Sequence, residues 1–169
     1  LPGGQVVGRH GSSRQIATSR DLARQPSTTG LCLAAARSAQ LPDNGPMNAP
    51  FTRIFTAPDG GSRFADDAID LVDGEFAPPA PPLGLGAVAG ARSVRFIGAL
   101  PGWDSPPHPA PARQWVVMIQ GIVEATTTDG EARRFGAGAA VLLEDTTGVG
   151  HRTRVVGDEP WLAMVVVLA

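Results

Sequence analysis

From residue 51 onward, apolar and polar residues alternate in short segments along the chain. Such alternation is typical of β-strands that bury one face. The predicted strands cover residues 51–57, 68–76, 93–99, 113–121, 122–128, 131–135, 139–144, 151–157 and 161–169. No segment keeps the 3.6-residue period of an amphipathic helix, so the pattern predicts an all-β fold, either an antiparallel sandwich or a barrel.

Turn-forming residues separate the predicted strands. Asp129-Gly130 is a two-residue hairpin signal, and Gly121, between two apolar runs, predicts a bulge or a bend. Residues 77–84 and 100–112 are rich in proline, which removes backbone donors and fixes φ. We therefore expect these two segments to be loops rather than helices or central strands.

The composition is that of an ordinary globular domain. The chain has 169 residues, of which 43% are hydrophobic and 18% charged, and its formal net charge is −2. This length accommodates one domain with a sizeable core. The small net charge gives no reason to expect a nucleic-acid or membrane partner. The apolar run at residues 161–169 is too short to span a bilayer.

Cysteine and lysine usage bear on the compartment and the source. Cys32 is the single cysteine, so no internal disulfide or cysteine metal cluster forms, and we expect a cytoplasmic protein. Lysine is absent and all 14 basic residues are arginine. This bias suggests a GC-rich genome and a bacterial source.

Residues 1–46 differ in composition from the rest of the chain. They hold five arginines, two aspartates and no aromatic residue, so they have little to bury and we expect them to be disordered. Three interpretations are open: an organelle transit peptide, a signal peptide with an interrupted apolar part, or an upstream extension that is no functional leader. We favour the third, with one folded domain covering residues 47–169.

Two short motifs in the second half of the chain resemble the paired motifs of the cupin family. The first cupin motif runs glycine, five residues, His-x-His, three or four residues, glutamate, six residues, glycine. Here Gly121 lies seven residues after Gln114, so Gln114 occupies the glutamate position. Counting back places His108 on the first histidine and Ala110 on the second.

The second cupin motif runs glycine, five residues, Pro-x-Gly, two residues, histidine, three residues, asparagine. Gly148 and His151 match its Gly-x-x-His part, with Thr146 at the proline position and Val155 at the asparagine position. The leading glycine is displaced, because Gly138 lies two residues earlier than the spacing requires.

This resemblance is to a small single-domain cupin of the RmlC-like kind. It implies a jelly-roll barrel, also called a double-stranded β-helix, over residues 47–169. Cupins usually hold a metal with two histidines and a glutamate from the first motif and one histidine from the second. By resemblance, the metal ligands here are His108, Gln114 and His151, and Ala110 replaces the remaining one.

The residue types in this set favour weak metal binding. Imidazole nitrogen suits divalent transition metals, and His108 and His151 are the only histidines after residue 46. Gln114 offers a neutral carbonyl oxygen, so we expect one Fe, Mn, Ni or Zn ion at weak or partial occupancy. Glu144 or Asp145 could supply a carboxylate, although both are more typical of solvated turns.

Strand alternation extends the candidate metal site into a pocket. If Gln114 faces the interior, then Val116 and Met118 face it as well, and Thr153 faces it if His151 does. We expect these side chains to line a largely apolar pocket that takes a small organic molecule.

The other face of the predicted strand at 113–121 is also apolar. That face carries Trp115, Val117 and Ile119. It needs a cover, either from the N-terminal strands or from a second subunit, so the sequence also predicts a homodimer.

Structural roles are the alternatives for each candidate residue. His108 could be an exposed loop residue, His151 could cap backbone carbonyls, and Gln114 could be a satisfied core amide. Three functions stay open: a metal-dependent oxygenase, isomerase or lyase; a non-catalytic barrel that binds a small molecule; and a structural role with a vestigial pocket.

Overall fold

The computed structural model describes residues 47–169, which form eleven β-strands and no helix. The strands are β1 Asn48–Thr56, β2 Ser62–Asp70, β3 Val72–Gly74, β4 Leu83–Leu85, β5 Ala91–Ala99, β6 Gln114–Gln120, β7 Ile122–Thr126, β8 Ala132–Phe135, β9 Ala140–Glu144, β10 Arg152–Val156 and β11 Trp161–Leu168. The prediction of an all-β fold is confirmed. In this part of the chain no helical segment offers a candidate membrane span. The predictions for residues 1–46 lie outside the described residues.

Two sheets build the barrel. The larger has six strands in the order β2-β1-β9-β6-β11-β5, and the smaller has three in the order β10-β7-β8. Neighbouring strands pair antiparallel except β1 and β9, which are parallel. Strands that are distant in the sequence therefore become neighbours, as a rolled double sheet requires.

The strand bounds differ from the prediction in the first third of the domain. β2 begins at Ser62 rather than near residue 68, and it pairs with β1 along its full length, from Thr56 opposite Ser62 to Asn48 opposite Asp70. Polar residues on both faces of residues 62–67 hide the alternation that would have indicated a strand. The proline-rich segment 77–84 is a loop until its end, where β4 forms a short edge hairpin with β3.

The inward faces of the two sheets form the core. Ile54, Val123 and Val141 are almost fully buried, and burial of each such side chain contributes roughly 1.5–3 kcal/mol to stability. Along β6 the buried residues are Gln114, Val116 and Met118. This spacing matches the inward alternation predicted for that strand.

Gly121 joins β6 to β7 at a bend, as predicted. Its φ of 70° lies in the left-handed region, which glycine adopts without strain. A Cβ at this position would lie 2.6 Å from the carbonyl oxygen of Pro160. The adjacent β6–β11 ladder shifts register between Leu162 and Ala163, so the bulge lies just before the bend.

The outer face of the large sheet is apolar and partly uncovered. Phe51 packs edge-on against Trp115, with ring centroids 4.7 Å apart. However, β1 lies in the same sheet as β6, so it flanks the outer face rather than covering it. Val94 and Phe96 of β5 are 57% and 67% exposed. The N-terminal strands therefore leave much of this face open.

Candidate functional site

A cavity of about 360 Å³ lies inside the barrel and is lined by both sheets. All six residues predicted for the site line it: His108, Gln114, Val116, Met118, His151 and Thr153. The geometry thus brings together residues that lie up to 45 positions apart in the sequence. Their roles as metal or ligand contacts stay predictions.

Backbone pairing between two loops brings the histidines together. The amide of His108 donates to the carbonyl of His151 at 3.0 Å, and the amide of His151 donates to the carbonyl of His108 at 3.1 Å. The two imidazole rings have centroids 5.3 Å apart and planes tilted by 40°. One ligand in the cavity could therefore meet both rings.

Gly150 makes this approach possible. Its φ is 75°, and a Cβ added to it would collide with the backbone of His108 and Pro109. Its carbonyl accepts a hydrogen bond of 2.7 Å from the buried hydroxyl of Ser62. A glycine is therefore required before His151 for two reasons, conformation and space.

The loop that carries His108 is fastened along β10. The amide and the hydroxyl of Ser105 both donate to the carbonyl oxygen of Thr153, at 3.0 Å and 3.1 Å respectively. Asp104 pairs with Arg152, and the hydrogen bonds from that guanidinium hold the pKa of the Asp104 carboxyl below its ordinary value. These contacts fix the path of the loop into the cavity mouth.

The Nδ1 atom of His108 lies 2.9 Å from the carbonyl oxygen of Pro106. A carbonyl oxygen only accepts, so Nδ1 carries the proton and Nε2 of the neutral ring keeps its lone pair. His108 is exposed, as its loop alternative predicted, yet it also lines the cavity.

Asp145 supports His151 from behind the cavity wall. Its Oδ2 lies 2.6 Å from Nδ1 of His151, and the residues are 0% and 5% exposed. With Asp145 ionised, Nδ1 of His151 carries the proton and Nε2 is the nitrogen left for a ligand. The expectation that Asp145 is a solvated turn residue was wrong, because its side chain is fully buried against His151 and its backbone carbonyl accepts a hydrogen bond from the amide of Ala110.

Glu144, the other candidate carboxylate, faces away from the cavity. It accepts hydrogen bonds from Arg113 at 2.7 Å and from Arg53 at 3.4 Å. Neither Glu144 nor Asp145 lines the cavity, and no acidic residue of the described segment does.

The donor set does not fit a tightly bound divalent metal. Two imidazoles are present, but Gln114 is neutral and no carboxylate reaches the cavity to offset a double positive charge. Residues 47–169 contain no group of three or more histidine, cysteine, aspartate or glutamate side chains placed to hold an ion. One feature does suit a metal ligand, since a carboxylate orients the His151 ring.

Most of the remaining cavity wall is apolar. The indole Nε1 of Trp161 donates to the sulfur of Met118 at 3.3 Å, and Trp103 stacks on Trp161 with ring centroids 6.4 Å apart. Both indoles line the cavity. They give it an aromatic wall that the sequence did not assign.

Arg95 is a further lining residue that the sequence did not assign. It stands on β5 opposite Val165 of β11, between Ser93 and Ile97 on the inward face. The sequence feature that could have identified Arg95 is a charged residue at an inward position of an alternating strand that pairs with β11.

Several of the solved structures to which this chain is similar are named as cupins. The chain is similar to a Cupin 2 conserved barrel domain protein from Salinispora arenicola, at 20% identity over 60% of this chain and 76% of that one, with a TM-score of 0.40. It is similar to an RmlC-like cupin family protein with a double-stranded β-helix fold from Methanocaldococcus jannaschii, at 17% identity, 57% and 88% coverage and a TM-score of 0.40. It is also similar to the Cnp3 cupin domain of Schizosaccharomyces pombe, at 9% identity, 75% and 86% coverage and a TM-score of 0.39.

These similarities concern the fold alone. No family model matches the sequence, and the comparison with curated proteins finds no match. The strand order of residues 47–169 agrees with the predicted double-stranded β-helix, and these similar solved structures carry the cupin name that the sequence motifs suggested. What the cavity binds has to be argued from its own residues.

Proposed function

We propose that this cupin-fold chain binds a small organic molecule inside its barrel. The observation that carries the proposal is the cavity of about 360 Å³, whose wall is mainly aliphatic and aromatic and which His108, Gln114 and His151 also line. Cavities of this size and character are typical of small-molecule sites. The apolar wall excludes water from the body of the ligand, and the polar side chains orient its functional groups.

The proposed site assigns a distinct task to each polar group. Gln114 is 8% exposed and can both donate to and accept from a ligand through its amide. The Nε2 atoms of His108 and His151 accept hydrogen bonds or a proton from a ligand that enters between the rings. A divalent Fe, Mn, Ni or Zn ion at these residues would be held weakly, because the donors are neutral.

Proton-transfer catalysis is the second candidate function, and the Asp145–His151 hydrogen bond favours it. A buried carboxylate that orients an imidazole is an arrangement suited to a general base. Within the predicted enzyme classes, isomerases and lyases need such a base. Here His151 would take a proton at Nε2 while Asp145 holds the ring in place.

Intrinsic tryptophan fluorescence tests the binding proposal. Trp103 and Trp161 line the cavity, whereas Trp115 lies on the opposite face of β6 against Phe51. A library of small organic molecules should contain compounds that change the emission of the wild type and raise its melting temperature. The change should persist in the control variant Trp115→Phe and be lost when both cavity indoles are replaced, in the double variant Trp103→Phe/Trp161→Phe. A signal that depends on Trp115 would place binding outside the cavity and contradict the proposal.

The predicted homodimer is supported by the open outer face of the large sheet. Val94 and Phe96 are exposed there, and a second copy would cover them. Sedimentation should show a dimer that Phe96→Glu dissociates. Val72→Glu is the matched control, because Val72 is equally exposed, at 68%, but lies on the small β3–β4 hairpin. A wild-type monomer at high concentration would refute the dimer.

A further inference from the structure

Arg95 places a fixed positive charge at the wall of the cavity. Seven of the nine arginines between residues 47 and 169 form salt bridges in that segment; they are Arg53, Arg63, Arg113, Arg133, Arg134, Arg152 and Arg154. Arg95 has no acidic partner among these residues, and its side chain is exposed. A guanidinium is charged at every physiological pH, so this cation is available to a ligand.

The rest of the cavity wall contains nothing that would oppose an anion. No aspartate or glutamate of the described residues lines it. Asp145, the nearest acidic group to the histidines, is hydrogen-bonded to His151 behind the wall. The lining therefore combines one cation, several neutral polar groups and a large apolar surface.

Gln114 shows independently that the cavity is built for a ligand with polar groups. It is more than nine-tenths buried and lines the cavity, yet its amide has no hydrogen-bond partner within residues 47–169 in this structure. Its amide atoms are not among the fully enclosed polar atoms of this segment, so they open onto the cavity. A ligand in the cavity can supply the missing hydrogen-bond partner.

We propose that the ligand is a small, largely apolar carboxylate whose anionic end pairs with Arg95. The inference rests on the proposed function of the cavity and specifies its ligand class. Arg95 belongs to an inward row across the large sheet, in which it pairs with Val165, Val165 pairs with Val116, and Val116 pairs with Val141. An alkyl or aryl body lies along these valines while the carboxylate accepts two hydrogen bonds from the guanidinium.

The row also explains why one ligand reaches both ends of the site. Arg95 and Gln114 are separated by two strand spacings across the sheet and by one inward-facing position, which is two residues, along the strand. With a strand spacing of about 4.8 Å and a rise of about 3.4 Å per residue, their Cα atoms are about 12 Å apart. Both residues line the cavity. A ligand of six to ten heavy atoms thus meets the guanidinium at one end and the amide at the other.

The test uses two isosteric probe pairs, hexanoate with hexanamide and benzoate with benzamide. Dissociation constants are measured by NMR titration of the full chain. Each carboxylate should bind at least about ten-fold more tightly than its amide, because charge-assisted hydrogen bonds are about twice as strong as neutral ones. Arg95→Gln should remove this preference. Arg92→Gln should retain it, since Arg92 lies on the same strand, is also exposed and does not line the cavity.

The outcomes separate the inference from the proposed function. If amides bind the cavity as tightly as carboxylates, or if Arg95→Gln keeps the preference, the anion inference is wrong and the binding function stands. If no probe perturbs the resonances of cavity residues at millimolar concentration, both are wrong. Loss of the preference in Arg95→Gln alone, with the amide affinity unchanged, establishes Arg95 as the carboxylate contact.

Discussion

The buried carboxylate of Asp145 accepts a hydrogen bond from Nδ1 of His151 at 2.6 Å, and this contact fixes the ring that faces the cavity. Its second oxygen, Oδ1, is buried and has no partner within the described residues. Burial of a carboxylate is costly unless the group is paired and hydrogen-bonded, and His151 is the side-chain partner that Asp145 has among these residues. The pair therefore links the stability of the barrel to the orientation of a site residue.

Replacing Asp145 should destabilise the protein through His151. In Asp145→Ala the buried Nδ1–H of His151 loses its acceptor, which costs about 1–3 kcal/mol. Denaturant unfolding measures this loss, with Asp158→Ala in the exposed turn before β11 as the control. Asp145→Asn should restore part of the stability, because an amide oxygen also accepts from Nδ1. Equal stability of Asp145→Ala and the wild type would mean that the hydrogen bond contributes nothing.

Gly150→Ala should separate the two histidines. The added methyl group would collide with the backbone of His108 and would also occupy the left-handed region. Gly157→Ala is a matched control, because Gly157 has a φ of 88° but open space around its Cβ position. We expect Gly157→Ala to cost about 1 kcal/mol from backbone strain alone, and Gly150→Ala to cost more.

NMR provides a second readout for the same pair of variants. Chemical shifts of His108 and His151 should change in Gly150→Ala and stay as in the wild type in Gly157→Ala. If both variants lose the same free energy of unfolding and keep the histidine shifts, the close approach at Gly150 has no structural importance.

Local patterns predicted the inner surface of the barrel well. The alternation of Gln114, Val116 and Met118 placed all three on the inward face, and this inference needs only the strand period. The resemblance to the two cupin motifs, rather than the spacing alone, placed His108 near His151.

Long-range packing decided what those patterns could not show. Asp145 begins a segment, DTTG, whose composition is typical of a solvated turn, and its burial depends on the contacts with Ala110 and His151. Arg95 was missed because an isolated charge on a strand is usually turned outward. Its place at the cavity follows from the pairing of β5 with β11, which the sequence alone does not specify.

Acidification should loosen the loop that carries His108. Hydrogen bonds from Arg152 keep the pKa of Asp104 below its unfolded value of 3.8. The ionised pair therefore stabilises the fold fully above that value, and this contribution is lost as the pH falls through the lower pKa of the folded state. Asp104→Asn should lower the melting temperature at pH 6, and the difference from wild type should shrink below pH 3.8.

The control for this pH effect is Asp67→Asn, whose exposed carboxylate forms no salt bridge within the described residues. It should leave the melting temperature unchanged across the same range. The carboxyls of Asp59, Glu124 and Asp129 also have lowered pKa values, so the wild type itself should lose stability in acid. A constant difference between Asp104→Asn and wild type from pH 6 to pH 2 would contradict the assignment of this effect to Asp104.

Metal content should be well below one ion per chain. His108, Gln114 and His151 supply three neutral donors, and the nearest carboxylate reaches them only through the Nδ1 proton of His151. Elemental analysis of untagged protein should therefore show partial occupancy by a first-row metal, which His151→Ala abolishes. Gln114→Glu adds the missing anionic donor and should raise both occupancy and affinity. Stoichiometric metal in the wild type that survives in both His108→Ala and His151→Ala would show that the ion binds elsewhere. Any chemistry in the cavity would then come from its protein side chains alone.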